Sequence, residues 1–163
     1  MAEAGPGISK KFVTAEADCY SLDFSNLLAI YNKTAAREDR LSIPQLMDED
    51  YTAVVYKNSE EDILGGFVYS EKREVEDEVL PFLNGRKSIY TSALIRNPNF
   101  EAGSIKPSEE KKEFVKKFSP REYMVWAKVK NQKLLEKYGE DKTMKVIKSE
   151  DPDQKYHFVI FNV

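Results

Sequence analysis

Two scarce residue types bound the chemistry open to this chain. Cys19 is its only cysteine and His157 its only histidine. One thiol can form neither an intramolecular disulfide nor a thiolate zinc cage. A Ser-His-Asp triad or a Cys-His pair would have to recruit His157, and a zinc site built on two or more imidazoles is out of reach. His157 lies between Tyr156 and Phe158 in an apolar run, and reads as structural or surface-exposed, with a pH-sensitive role as the sharper alternative. Cys19 precedes a helix start, where a thiolate is favoured, but without a paired base it reads as inert. What remains is carboxylate, phenol and amine chemistry. Lys111, Lys112, Lys116, Lys117, Arg121, Lys128 and Lys130 gather locally but alternate with Glu109, Glu110 and Glu113, so a solvated helix face is the plainer reading and a nucleic-acid patch the lesser one.

The elements that position these groups belong to one globular domain. The chain has 163 residues, with 25 Lys and Arg against 28 Asp and Glu, a net charge of −3 that offers no basic face for duplex binding. At 41% hydrophobic and 33% charged residues it has the composition of a folded domain and not of a disordered tail. No window reaches the run of about 18 apolar residues that a membrane span needs, and the N-terminal MAEAGPGISKK lacks the apolar middle of a signal peptide. We expect a cytoplasmic protein with a flexible start over residues 1–8 and a single domain over 9–163.

Residues 9–15 suit a first strand. Phe24, Leu27, Leu28, Tyr31 and Ala35 follow helical spacing after a cap at Ser21 or Asp23, and Pro44 suits the first turn of a short helix over 42–47. Residues 51–57 and 63–70 read as a hairpin pair across a polar loop. The adjacent Gly65 and Gly66 inside the second strand point to a bulge, or to close approach by another backbone or a ligand. Residues 73–83 are ambiguous, since Val75, Val79, Leu80 and Leu83 fit a helix that Pro81 limits. A strong strand follows over 87–96, stopped by Asn97-Pro98, and a helix opens at Pro107 with Glu109 and Glu110 in its first turn and ends at Ser119-Pro120. Residues 123–130 form a strand, Asn131 caps a short helix to Tyr138 ended by Gly139, and 143–148 and 155–163 close the chain as a hairpin. The fold class is α/β, a single-domain mixed and mostly antiparallel sheet flanked by helices. Tyr51, Tyr56, Phe67, Tyr69, Trp126, Phe158 and Phe161 all occupy strand positions, where aromatic residues pack the core.

This succession resembles the GCN5-related N-acetyltransferase fold over nearly the whole chain. Ala93-Leu94-Ile95-Arg96-Asn97-Pro98-Asn99-Phe100 is similar to the family's central strand, with its closing Pro and aromatic, before the coenzyme-A pyrophosphate loop. Val125-Trp126-Ala127-Lys128-Val129-Lys130-Asn131 followed by Leu134-Leu135-Glu136-Lys137-Tyr138-Gly139 is similar to the next strand, its following Asn and its short helix. Backbone N–H groups ahead of a helix, at the positive end of its dipole, can cradle a pyrophosphate. The resemblance puts that cradle over residues 101–108. It departs from the family pattern of Gln or Arg, two residues, Gly, one residue, then Gly or Ala, because Glu101, Ser104 and Lys106 stand at those places and Gly103 is the one glycine there.

The resemblance implies an N-acyltransferase that moves an acetyl or other acyl group from coenzyme A to a small-molecule or protein amine by direct transfer. Acetyl-CoA would be the cofactor, held by Leu94, Ile95, Gly103, Ser104, Lys106, Ser108 and Asn131, with the thioester oxygen on a strand N–H near Leu94 or Ile95. A Tyr on the last short helix serves such enzymes as the acid for the departing thiolate. Counting forward from Asn131 puts Tyr138 there, while counting back from Gly139 puts Leu135 there. Tyr90, Glu71 and Glu74 are the candidates for the base. The departures in the loop favour a second reading, an acetyltransferase-like binding or regulatory module that does not use acetyl-CoA. A third, an acyltransferase directed at nucleic acid, lacks the basic face it needs. No membrane association is expected, and the sequence is silent on the acceptor and the oligomeric state.

Overall fold

The computed structural model describes residues 8–14, 22–35, 37, 40–48, 50–100, 106–153 and 155–163. Its elements in chain order are β1 (Ser9–Thr14), α1 (Leu22–Thr34), α2 (Ile43–Asp48), β2 (Tyr51–Lys57), β3 (Ile63–Ser70), a 3-10 turn (Leu80–Phe82) and β4 (Lys87–Arg96). There follow α3 (Pro107–Val115), β5 (Tyr123–Val129), α4 (Gln132–Glu140), β6 (Lys145–Ile147) and β7 (His157–Ile160). The strands form one seven-stranded sheet in the order β1-β2-β3-β4-β5-β7-β6. The one parallel pairing described is β4 with β5, while β1–β2, β2–β3, β5–β7 and β6–β7 are antiparallel. A parallel pair cannot be closed by a tight hairpin. Here α3 lies in the stretch that joins the two strands. Residues group into two compact units, 1–70 with 93–113 and 71–92 with 114–163, so β4 contributes its first part to the second unit and its last part to the first.

In the first unit, β2 and β3 are buried on both faces: Ala53, Val54, Val55 and Tyr56 in one, Ile63, Leu64, Phe67 and Val68 in the other. Phe24, Leu27 and Leu28 form the inward stripe of α1. The paired glycines serve close approach. A Cβ on Gly66 would sit well inside 3.0 Å of the Val54 carbonyl oxygen, and one on Gly65 equally close to that of Ile95. Gly65 also takes a φ of 157°, a backbone setting that residues with a side chain rarely adopt. The expected bulge is there as well: Tyr56 pairs with Gly65 but Lys57 with Ile63, so Leu64 is the extra residue on β3 beside the glycines. Asn97 ends β4 in this unit by donating its backbone N–H to Leu64 O at 2.8 Å and its side-chain amide to Ile63 O at 2.9 Å.

In the second unit β5 is central, and Met124, Val125, Trp126 and Ala127 are all buried, so it too is covered on both faces. Its neighbour β7 stops at Ile160, but Asn162 extends the pairing with a side chain. The Asn162 carboxamide accepts the Val125 N–H at 2.9 Å and donates to Tyr123 O at 2.9 Å, while the Phe161 N–H reaches Val125 O at 2.8 Å.

The ambiguous stretch over 73–83 forms no α-helix; Pro81, which lacks an N–H, leaves only the 3-10 turn. α3 ends at Val115 and continues as turns in which the Lys117 and Phe118 N–H groups donate to Phe114 O and Val115 O, short of the expected Ser119-Pro120 stop. Gly139 does not end α4. The helix runs to Glu140 and stops at Asp141, whose carboxylate takes both the N–H and the hydroxyl of Thr143, at 2.9 and 2.6 Å. The final hairpin is shorter than expected, three and four residues, with its polar flanks outside the ladder.

Candidate functional site

The last part of β4 and the first turn of α3 carry the groups that the sequence places around a cofactor. Ile95 is buried, with its carbonyl against Gly65. Leu94 lies beside it in the strand. Gly103 and Ser104 fall outside the described residues. Lys106 precedes Pro107 and acts as the helix-capping backbone: its carbonyl accepts the N–H groups of Glu109 at 3.0 Å and Glu110 at 3.1 Å. Its ammonium is exposed and pairs loosely with Glu109 at 4.0 Å. Ser108 is the second residue of the helix. Pro107 supplies no donor, and the Glu109 and Glu110 donors are committed to Lys106, so the anion-binding capacity of this terminus rests on Ser108 N–H and the Lys106 ammonium. Two carboxylates in the same turn oppose it.

Further into α3 lie two residues whose roles the sequence does not disclose. The Tyr56 hydroxyl donates to Glu110 Oε2 at 3.3 Å. Burial first, then the charge and hydrogen bond of Glu110, push that phenol well above its ordinary range. The sequence assigns Lys111 to a solvated face, and the structure corrects this: it is 4% exposed. Removal from water pushes its ammonium down to about 7. The signal is present in the helical spacing from Lys111 to Phe114 and Val115, the residues that α3 buries.

The second unit holds the candidate catalytic groups, each with its own surroundings. Tyr138, in the last turns of α4, is buried with its ring edge-on to Phe161 at 5.4 Å. Burial pushes its phenol up, so it stays protonated and can only donate a proton. Asn131 is the N-cap of α4, and its side-chain oxygen accepts Lys133 N–H at 3.0 Å and Leu134 N–H at 3.2 Å. Tyr90 is buried on β4, its ring 4.5 Å from that of Trp126 and 4.2 Å below the Arg73 guanidinium. Glu71 and Glu74, by contrast, are exposed. His157 accepts Ser149 N–H on Nδ1 at 3.2 Å, a structural contact across the base of the β6–β7 hairpin.

Among the described residues no group of three or more His, Cys, Asp or Glu could hold a metal ion, and no helix is long and apolar enough to cross a membrane. No protein-family model and no curated protein matches the chain. A solved structure does: a "putative acetyltransferase" from Acinetobacter baylyi ADP1, at a TM-score of 0.50 and 9% identity, covering 96% of this chain and 93% of that one. The chain has an acetyltransferase-like fold. A second structure, yncA, a "putative acetyltransferase" from Salmonella typhimurium with its cofactor acetyl-CoA, matches at a TM-score of 0.49 and 10% identity, covering 96% and 92%. At such identities the likeness concerns the acetyltransferase-like fold alone; chemistry has to be argued from the residues.

Proposed function

We propose that this chain is an N-acyltransferase, taking an acyl group from coenzyme A to an amine acceptor in the cytoplasm. The observation that carries the reading is the acetyltransferase-like fold extending over 96% of the chain. Coenzyme A, when bound, supplies the activated thioester. The backbone N–H groups near Leu94 and the buried Ile95 would hold its carbonyl oxygen. Lys106 and Ser108, with Gly103 and Ser104 ahead of them in the sequence, would hold the coenzyme's diphosphate, and Asn131 is the further polar candidate for the cofactor. Tyr138, kept protonated by its burial, would be the proton donor for a departing thiolate. Glu71 or Tyr90 takes the amine proton, and the exposed Glu71 is the better base because Tyr90 is covered by Arg73.

A second reading has an observation of its own. The first turn of α3 carries Glu109 and Glu110, and the backbone N–H groups of both are spent on the Lys106 carbonyl. A chain that has kept the acetyltransferase-like fold as a binding or regulatory module would have no need of a diphosphate cradle there. Calorimetric titration with acetyl-CoA separates the two. Micromolar binding that Lys106→Glu weakens supports the transferase; absence of heat at millimolar ligand discards it in favour of the module.

A further inference from the structure

A buried donor in the second unit lacks an acceptor. Trp126 is fully buried, yet its indole N–H has no hydrogen-bond partner among the described residues. Buried donors are nearly always paired, so an orphan needs an explanation, and a ligand atom is one.

The surroundings specify which kind. Tyr90 stands directly across the parallel ladder from Trp126, and Lys128 follows two residues later on the same face of β5. Arg73 lies over the Tyr90 ring, and one carboxylate, Glu76, joins the two cations: Lys128 Nζ at 2.7 Å and Arg73 at 3.8 Å. Lys128 also rests 4.8 Å above the Tyr156 ring. Arg73 and Lys128 keep 23% and 20% of their side-chain surface in solvent, while Trp126, its ring 4.5 Å from that of Tyr90, is fully buried. Interactions of this partly exposed kind are weak enough to be exchanged.

We infer that this stack of Arg73, Tyr90 and Trp126, flanked by Lys128, is a binding site for a small planar carboxylate. The ligand's oxygens replace those of Glu76 on the guanidinium and ammonium, for which a carboxylate is the matching partner, and accept the Trp126 N–H as Arg73 turns off Tyr90. The Tyr90 and Tyr156 rings that lie under the two cations favour a flat ligand. Tyr90 is shared with the proposed transferase machinery, but carboxylate binding here needs no coenzyme.

Trp126 is the only tryptophan of the chain, so its emission reports this site directly. Sodium benzoate is titrated into the full chain, with sodium phosphate and sodium chloride at matched ionic strength. A saturable change with benzoate alone is expected. Its midpoint should rise about tenfold in Lys128→Met, which removes one charge-assisted hydrogen bond, and fall by a similar factor in Glu76→Gln, which removes the internal competitor. Trp126→Phe, followed by calorimetry, should bind benzoate more weakly while remaining folded. An unsaturable response, an equal response to phosphate, or benzoate binding indifferent to Lys128→Met and Trp126→Phe would each overturn the assignment.

Discussion

The hydroxyl of Tyr56, in the middle of the first unit, donates to the carboxylate of Glu110 in the first turns of α3 at 3.3 Å. Tyr56 has no exposed surface, while Glu110 is half-buried, so the pair ties the helix to the strand through a bond with one end out of water. Replacing Tyr56 with Phe leaves the ring in place and Glu110 short of a donor. We expect a loss of about 1.5–3 kcal/mol, the range for a hydrogen bond to a charged group, visible as a lower urea midpoint with an unchanged slope. Glu110→Gln retains an acceptor and should cost less.

Lys111 gives stability a pH dependence. Its ammonium is pushed down to about 7 in the folded chain, below the unfolded value. Between that value and the ordinary lysine range near 10, the unfolded chain binds the extra proton. Stability should therefore rise with pH over this window, by up to about 1.4 kcal/mol per pH unit from this one group. Lys111→Met should flatten the slope between about pH 7 and 10 in denaturation curves and be more stable than the parent at pH 7.

Removing the cap of α4 tests how much this short helix depends on it. Asn131→Ala frees the N–H groups of Lys133 and Leu134 and should cost about 1 kcal/mol, while Asn131→Asp or Asn131→Ser should recover most of it in thermal unfolding. If Asn131 also helps to hold coenzyme A, Asn131→Ser will restore stability without restoring acetyl-CoA binding.

Asn162 is harder to replace. Asp has the same shape but lacks the amide donor that Tyr123 O accepts, and it brings a charge into a site only 8% exposed. Asn162→Asp should destabilise by about 2–3 kcal/mol near neutral pH, with part of the loss recovered on acidification as the carboxyl protonates. Equilibrium unfolding at two pH values measures both effects.

Much of the framework is legible in the sequence. The bounds of β2, β3 and β4 agree with their patterns because each is an apolar run closed by strong turn residues, and Asn131 announces α4 through its cap. Residues 73–83 are not legible, since four apolar residues fit a helix and Pro81 decides against it. Lys111 misleads because a run of alternating charges looks alike in solvent and against a core; only the position of Phe114 and Val115 tells which side of α3 faces in. At the candidate site, the burial of Tyr138 and Tyr90 depends on Phe161, Trp126 and Arg73, partners remote in sequence that no local spacing reveals.

The close approaches at Gly65 and Gly66 also bear on how kin of this chain could be recognised. A surface loop can drift freely, and the cradle residues here depart from the usual pattern, so ancestry is poorly recorded in them. Two adjacent positions, at each of which a carbonyl oxygen already occupies the space of a methyl group, admit no second amino acid unless the strands themselves part. Distant relatives that share this sheet should therefore keep a Gly-Gly pair in their third strand, and the Asn-Pro step after the fourth, long after their loops have become unrecognisable.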